Sequence, residues 1–272
     1  MADSRPIGVF DSGLGGLTVV KELAKLLPHE DIVYFGDTGR VPYGTRSRET
    51  IEKYAIQDEK FLLQNNVKLI VAACGTVSSV AAHTGDILPV PFVGVVEHAV
   101  KAAVKATKNK KIGVIGTAAT VNSGAHARFI KELLPEAQVT ANNCNLFVPL
   151  VEEGWIGEND VVAVETAARY LEPIQAAGVD TLILGCTHYP VLEKIIAKIM
   201  EDKVTLINMG VATAQYVAEK LKTDGIENNK ENQGTHSFYV SDKPDTFKTQ
   251  AQILLGKSIC ETEVKQVDIN NI

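Results

Sequence analysis

The second half of this 272-residue chain repeats the first half in two places. The segment IGVF at residues 7–10 is echoed by IGVI at residues 112–115, an offset of 105 residues. The segment LIVAAC, which ends at Cys74, is echoed by LILGC, which ends at Cys186, an offset of 112 residues. An insertion in a loop produces a difference of this size, so the sequence predicts two halves of similar fold.

Within the halves, short apolar runs alternate with stretches of helical period. In the first half the runs lie at residues 7–10, 32–35 and 68–73, and the helical stretches lie at residues 17–27, 48–63 and 76–82. This βαβα order is typical of an α/β fold with a parallel sheet, helices on both faces and right-handed crossovers. We therefore expect two similar α/β domains related by pseudo-twofold symmetry. Because ligands bind beyond the carboxyl ends of parallel strands, we expect the active site between the domains.

The last part of the chain is expected to return to the first half. A polar stretch at residues 222–234 is typical of a surface loop, and it precedes a predicted strand at residues 238–241 and a predicted helix at residues 246–255. The predicted domains are residues 1–97 plus 210–272 for the first and residues 98–209 for the second.

Composition excludes several classes of partner. Apolar residues make up 45% of the chain and charged residues 22%, which is typical of a globular protein. The 27 Lys and Arg residues are outnumbered by 33 Asp and Glu residues and form no basic cluster, so we expect no nucleic-acid partner. The sequence has no apolar run of the roughly 18–20 residues that a membrane span needs and no signal peptide. We therefore expect a cytoplasmic protein without a membrane partner.

The four cysteines divide into two pairs. Their spacing shows no CxxC, and no His stands at zinc-ligand spacing, so the sequence predicts neither a disulfide framework nor a metal site. Cys144 and Cys260 are expected to be buried as small apolar side chains. Cys74 and Cys186 each follow a buried-strand run and stand just before a predicted helix.

The positions of Cys74 and Cys186 suggest acid–base chemistry. A helix N-terminus favours the thiolate, so we expect pKa values lowered from about 8.5 toward neutrality. Inversion of a stereocentre requires removal of a proton on one face and delivery on the other, and two facing thiols meet that requirement. A redox pair is the alternative use of two thiols and stays open here.

Several polar residues stand near these strand ends. His188 lies two residues after Cys186, where its imidazole can assist the thiol or serve as a packed side chain. Asp11 and Ser12 follow the first strand in a glycine-rich loop that can accept an ammonium group and hold a carboxylate. The glycine spacing matches neither GxGxxG nor a P-loop, so nucleotide binding is not favoured.

Two further carboxylates and one turn are also candidates for the site. Asp37 follows the second strand, and the turn at Tyr43 and Gly44 can offer N–H groups to a second carboxylate. Glu152 is either a surface helix residue or a group that binds an ammonium or orients a catalytic side chain.

Four motifs together resemble glutamate racemases. They are FDSGLGG at residues 10–16, GDTGRVPYG at residues 36–44, ACGTVS at residues 73–78 and LGCTHYP at residues 184–190. They occur in the order and at the spacing of that family, over essentially the whole chain. The resemblance implies a cofactor-independent, two-base racemase that is a homodimer. Its substrate would be glutamate, and it would supply D-glutamate for peptidoglycan, and so for cell wall biogenesis and cell shape.

The resemblance also implies roles for individual residues. The matching catalytic thiols are Cys74 and Cys186, and the polar residues with matching supporting roles in catalysis are Asp11, Asp37, Glu152 and His188. The positions that match substrate-binding segments are Asp11, Ser12, Tyr43, Gly44, Gly75, Thr76, Thr187 and His188.

Three departures from the family pattern are visible. Gly75 stands where the family usually has Asn, and loss of a side-chain contact to substrate costs about 1–3 kcal/mol. Glu97 and His98 replace a pair that usually contains Pro and Gly, after a predicted strand at residues 92–96. Asn208 and Met209 replace the usual Asp-Ser. We expect these changes to alter loop shape near the domain junction.

Three other functions stay open. An aspartate racemase of the same superfamily would differ in pocket size beyond Tyr43 and Gly44. A weakly active paralogue with a binding or regulatory role is suggested by Gly75 and by Asn208 and Met209, although both thiols and His188 are retained. A periplasmic-type solute-binding protein has two similar lobes but needs export. Because the first strand begins by residue 7, we expect no activation by a cell-wall precursor.

Overall fold

The computed structural model describes residues 2–255 and 263–272. The strands in these ranges are β1 Ile7–Asp11, β2 Ile32–Gly36, β3 Leu69–Ala72, β4 Phe92–Gly94, β5 Lys111–Gly116, β6 Gln138–Asn143, β7 Thr181–Leu184, β8 Thr205–Asn208, β9 His236–Val240 and β10 Val264–Gln266. The helices there are α1 Leu17–Leu26, α2 Arg48–Gln64, α3 Gly75–Val80, α4 Val95–Ala106, α5 Ala118–Asn122, α6 Ala125–Leu133, α7 Phe147–Glu152, α8 Val161–Ala176, α9 Glu193–Ile199, α10 Met209–Asp224 and α11 Pro244–Leu255. Short 3₁₀ helices lie at Tyr43–Thr45, Ala82–Ile87, Tyr189–Leu192 and Ile269–Asn271.

The strands form two sheets in which every described pair is parallel. The first sheet has the order β10-β9-β2-β1-β3-β4, and the second has the order β6-β5-β7-β8. Strands β1, β2, β3 and β7 are buried at every residue, as expected for strands covered by helices on both faces. The predicted α/β class with two parallel sheets is confirmed, and so is the return of the C-terminal strands to the first sheet.

The sequence repeat reappears in the strand register. The order β2-β1-β3-β4 is matched by β6-β5-β7-β8. Ile7 pairs with Leu69 in the first sheet, and Ile112 pairs with Thr181 in the second. Adding 105 to residue 7 gives 112, and adding 112 to residue 69 gives 181. The second pair is therefore related to the first by the offsets of the two echoes. The two thiols therefore follow equivalent strands, Cys74 after β3 and Cys186 after β7.

Apolar packing continues from one half into the other. Helix α1 buries Leu17, Val20 and Leu23 on one face. These side chains belong to a core cluster that also contains Val114 and Leu184 of the second half. A second cluster of buried aromatic and aliphatic side chains lies in the first half, with Phe10, Phe35 and Phe61 among its members.

Several predicted boundaries were wrong. Helix α10 continues to Asp224 and ends at Gly225, whose φ of 66° suits a glycine, so the first residues of the predicted loop 222–234 are helical. The predicted strand at residues 92–96 ends at Gly94, and Glu97 and His98 lie in α4 rather than in a loop. Cys260 lies outside the described residues. The domain boundaries at residues 98 and 209 stay a prediction.

None of the helices in the described ranges is both long enough and apolar enough to span a membrane.

Candidate active site

One cavity lies where four strands of the two sheets end. The residues after β1, β3, β5 and β7 contribute to its wall, and the cavity measures about 30 Å³. The lining side chains and backbone from the first half include Ser12, Pro42, Tyr43, Gly44, Cys74, Gly75 and Thr76. Those from the second half include Thr117, Val148, Gly185, Cys186, Thr187 and His188. Both thiols therefore face the same small space, as the sequence predicts.

Cys74 is buried and its surroundings disfavour the thiolate. Its Sγ lies 3.6 Å from Ser12 Oγ, to which the thiol donates. Burial raises the pKa of Cys74 to about 12, and the nearby carboxylate of Asp11 adds to the increase. The predicted lowering of this pKa toward neutrality was wrong, because α3 has only 6 residues and its N-terminal amides do not offset the loss of hydration.

Cys186 stands next to a cation instead. His188 Nδ1 lies 3.8 Å from Cys186 Sγ, and His188 Nε2 lies 3.1 Å from Glu152 Oε1. Burial lowers the pKa of His188, but the hydrogen bonds with Cys186 and Glu152 outweigh it and raise the pKa to about 10. Both contacts favour the protonated imidazole, and Glu152 at the end of α7 joins the site through it.

Asp11 closes the first strand with a buried carboxylate. Its Oδ2 accepts a hydrogen bond from the Gly13 N–H at 3.0 Å, whereas Oδ1 has no partner within the described ranges. Burial raises the pKa of Asp11, while the positive charge of His188 acts in the opposite direction. A Cβ at Gly16 would lie 2.5 Å from Asp11 Cβ, so a glycine is required for the loop to turn over this carboxylate.

Two hydroxyl contacts join the halves across the cavity wall. Thr76 Oγ1 lies 3.0 Å from Thr117 Oγ1, and Thr18 Oγ1 of α1 donates to the Thr187 carbonyl at 2.9 Å. Thr117 was missed by the sequence reasoning. It follows β5 as Ser12 follows β1, so the offset of 105 residues applied to Ser12 would have found it.

Asp37 does not reach the cavity. Its Oδ2 accepts a hydrogen bond from Arg40 Nε at 2.6 Å and another from the Tyr43 hydroxyl. Tyr43 itself lines the cavity, but its hydroxyl points into this buried group, which also contains Asp58. The structure thus places Asp37 behind the substrate-binding turn that the sequence predicts and not beside the thiols.

Gly75 and Met209, two residues that depart from the family pattern, lie close together. A Cβ at residue 75 would lie 2.5 Å from the Gly185 carbonyl oxygen and 3.2 Å from Met209 Cε. A side chain at position 75 therefore has no room while Gly185 and Met209 hold these positions. The departure at His98 lies elsewhere, because this ring stacks on Tyr216 of α10 at a centroid distance of 3.7 Å.

A larger groove of about 310 Å³ lies on the second half. It is lined mainly by apolar side chains from Leu146 at the start of α7 to α8, including Trp155 and Val162, and Glu153 is the one carboxylate among the described residues that line it. It offers no pair of acid–base groups, so the chemistry belongs to the smaller cavity. No cluster of His, Cys, Asp or Glu that could hold a metal ion occurs in the part of the chain that the structure describes.

Comparison with known proteins places the chain in a family. Residues 7–217 match the model of the Asp/Glu/Hydantoin racemase family. The chain is 45% identical over 253 residues to a glutamate racemase of Geobacter metallireducens, covering 93% of each chain. It is 44% identical over 265 residues to a glutamate racemase of Neisseria meningitidis, covering 96% of each.

Solved structures of glutamate racemases superimpose on this chain. The glutamate racemase of Francisella tularensis in complex with D-glutamate superimposes with a TM-score of 0.91 at 38% identity, over 99% of this chain and 100% of that one. The Escherichia coli glutamate racemase in complex with L-glutamate and an activator gives a TM-score of 0.77 at 27% identity, over 96% and 97% of the two chains. An aspartate racemase homologue from Pyrococcus horikoshii, at 16% identity and a TM-score of 0.59, shares the fold.

The contact at Gly75 gives a testable prediction. We expect Gly75→Ala to lower the free energy of unfolding by about 1–3 kcal/mol, because the new methyl group forces the Gly185 backbone away. Gly157→Ala is the control, since a Cβ there meets nothing closer than 3.8 Å. Urea unfolding measures both variants. Equal stability of Gly75→Ala and the parent would contradict the close approach.

The family match, the identity over nearly the whole chain and the superimposed structures lead to one conclusion. The chain belongs to the Asp/Glu/Hydantoin racemase family and, within it, to the glutamate racemases, which are amino-acid isomerases.

Proposed function

We propose that this chain interconverts L- and D-glutamate by a two-base mechanism that uses Cys74 and Cys186 and no cofactor. The observation that supports the proposal best is the placement of two thiols at equivalent strand ends around one cavity. The names of the relatives at 44–45% identity favour glutamate over aspartate as the substrate.

The two thiols have different neighbours. The buried carboxyl group of Asp11 lies near Cys74. The pKa of Cys74 is raised to about 12, so this thiol keeps its proton. The protonated imidazole of His188 lies 3.8 Å from Cys186 Sγ, where its charge stabilises a thiolate. A thiolate and a thiol on opposite sides of the substrate are the base and the acid that one direction of inversion requires.

The chemical step follows from this arrangement. The thiolate removes the α-proton from one face of the substrate and leaves the electron pair of the C–H bond on the α-carbon. The opposite thiol then delivers its proton to the other face, so a C–H bond of inverted configuration forms. After the step the two sulfur atoms have exchanged protonation states, and proton exchange with water restores the first state.

Substrate groups have complementary partners at the cavity. Ser12 lines the cavity and its hydroxyl group suits the α-ammonium group, while the buried carboxyl group of Asp11 lies behind that lining. The hydroxyl groups of Thr76 and Thr187 and the backbone N–H groups at Gly44 and Gly75 suit the two carboxylates. Gly75 offers no side-chain amide, so the hydrogen bonds at this position come from the backbone alone.

The biological setting and assembly are also proposed. We propose that the enzyme works in the cytoplasm and supplies D-glutamate for peptidoglycan. Growth of a D-glutamate auxotroph that carries its gene tests this role.

We propose a homodimer, supported by the apolar groove around Trp155 and by the exposed side chain of Val161. Sedimentation equilibrium decides this point, and a monomer at micromolar concentration would exclude the dimer.

The proposed reaction predicts the effect of removing either thiol. The parent is expected to racemise both enantiomers of glutamate without added cofactor, followed by circular dichroism. Cys74→Ser and Cys186→Ser are each expected to lose about 10²–10⁴-fold in kcat, the contribution of one acid–base group. Cys144→Ala, at a buried thiol that does not line the cavity, serves as the control and keeps the parent rate. A parent without activity on glutamate would overturn the proposed function.

The contact of His188 with Glu152 predicts a pH dependence. Because the pKa of His188 is raised from 6.5 to about 10, its contribution to stability is full below pH 6.5 and is lost as the pH rises through 10. NMR titration is expected to show His188 protonated at pH 8 in the parent and a lower pKa in Glu152→Gln. His98, with a pKa lowered to about 4 by burial, is the control in the same spectra. Titration of His188 near its ordinary value in the parent would contradict the ion pair.

A further inference from the structure

A buried polar group lies behind the cavity wall in the first half. It consists of Asp37, Arg40, Tyr43 and Asp58, which we call the Tyr43 network. Both carboxylates are fully buried, Tyr43 is 1% exposed, and the Arg40 side chain is 13% exposed. Asp58 comes from α2, whereas the other three members come from the segment that follows β2. Neither the reaction nor the family resemblance assigns a role to Asp58 or Arg40.

The hydrogen bonds of the network leave too few protons for two ionised carboxylates. The Tyr43 hydroxyl contacts Asp37 Oδ2 and also lies 3.0 Å from Asp58 Oδ2. A hydroxyl carries one hydrogen, so it can donate to only one of these two oxygens. The second contact is a hydrogen bond only if the other carboxyl group carries a proton and donates it to the Tyr43 oxygen.

Arg40 decides which carboxyl group is ionised. Its Nε donates to Asp37 Oδ2 at 2.6 Å, the same oxygen that Tyr43 contacts. Its Nη2 is 3.1 Å from Asp58 Oδ1, a weaker contact that a carbonyl oxygen can also accept. A carboxylate at Asp37 and a neutral, protonated Asp58 therefore satisfy these four contacts without a net charge on the network, and Asp37 Oδ1 is left without a hydrogen-bond partner in the described ranges.

The surrounding groups favour the same assignment. Burial raises the pKa of Asp58 well above its ordinary value, the negative charge of Asp37 adds to this, and the positive charge of Arg40 opposes it. Other neighbours in the described ranges include the Tyr54 ring, 4.1 Å from the Arg40 guanidinium, and the Gln57 amide, 2.5 Å from Arg40 Nη1. The charge of Glu59 also disfavours ionisation of Asp58.

The network supports the segment that forms one side of the cavity. Pro42, Tyr43 and Gly44 line the cavity on the first half. A Cβ at Gly44 would lie 2.7 Å from Thr117 Cβ, so this segment is held between the network and the second half. A movement of Tyr43 therefore changes both the position of the Gly44 backbone and its fit against Thr117.

We propose that Asp58 is a positioning residue that, as a protonated acid, donates to Tyr43 and so fixes the Pro42–Gly44 backbone for a substrate carboxylate. This inference rests on the proposed function for its effect on substrate binding. The proton itself is a property of the folded chain and does not depend on the substrate.

The test compares an amide with a truncation at Asp58. In Asp58→Asn the amide keeps one donor for Tyr43 and one acceptor for Arg40, so KM for glutamate is expected within about threefold of the parent. In Asp58→Ala, Tyr43 and Arg40 each lose a partner, so KM is expected to rise about tenfold while kcat changes less than about threefold. Glu59→Gln is the matched control: it removes a neighbouring charge at the next residue of α2, which contacts Thr84, but it leaves the four contacts of the Tyr43 network, so KM is expected within about threefold of the parent.

Two kinetic outcomes would overturn the proposal. An equal rise of KM in Asp58→Asn and Asp58→Ala would mean that no donor is needed at this position. An unchanged KM in Asp58→Ala, with a lower melting temperature alone, would reduce Asp58 to a structural residue. If Asp58→Ala does not fold, Tyr43→Phe takes its place, because it removes the hydroxyl that Asp58 contacts and is expected to raise KM in the same way.

An infrared measurement separates this proposal from the proposed function. The difference spectrum of the parent minus Asp58→Asn at pH 7 is expected to contain the C=O band of a protonated carboxyl group. Absence of that band overturns the proposal even if the parent racemises glutamate. A parent that shows the band but has no activity on glutamate overturns the proposed function and the role in substrate binding, while it confirms the proton on Asp58.

Thermal unfolding gives a second readout of the same proton. A carboxyl group whose pKa is raised by folding contributes stability that is full below 3.8, its ordinary pKa, and is lost as the pH rises through the pKa of the folded state. The difference in melting temperature between the parent and Asp58→Asn is therefore expected to shift in favour of the variant from pH 5 to pH 8. A constant difference over this range contradicts a protonated Asp58.

Discussion

The close approach of Gly75 to the Gly185 carbonyl determines how the two halves of the site fit together. With 2.5 Å between that oxygen and the position of a Cβ at residue 75, a larger residue there requires the Gly185 backbone to move. Each of these glycines is next to a thiol, so the contact also sets how the two sulfur atoms face the cavity. The hydroxyl pair of Thr76 and Thr117 lies beside it, and Met209 fills the adjacent space. The site is therefore narrow because of backbone packing.

The two halves have similar backbones, but the ionisable side chains near their thiols differ. The offset of 112 residues relates Cys74 to Cys186, but it relates His188 to Thr76, which has no charge. The offset of 105 residues relates Asp11 to Gly116. Each half thus contributes one charged group that the other lacks, a carboxyl group near Cys74 and an imidazolium near Cys186. Equivalent thiols can take opposite protonation states in this setting, which inversion of a stereocentre requires.

The sequence predicted the architecture better than the electrostatics. The βαβα order predicted the parallel sheets and the two echoes predicted two similar halves, and the observed strand pairing repeats at the offsets of the echoes because the apolar pattern repeats. The pKa of Cys74 could not be predicted, since the burial of its thiol depends on tertiary packing. The contact between Tyr43 and Asp58 could not be predicted from the sequence either, because these residues lie on separate elements that come together only in the folded chain. Asp37 matched a family motif, yet its carboxylate serves the Tyr43 network.

Exchange of the α-proton in D₂O, measured for each enantiomer with Cys74→Ala and Cys186→Ala, tests the two-base account most directly. A site with one remaining thiol can remove a proton from one face only and must return deuterium to that face. The account predicts that neither variant inverts glutamate, that each exchanges the α-proton of one enantiomer, and that the two variants act on opposite enantiomers. Inversion by either variant, or exchange of the same enantiomer by both, would contradict it.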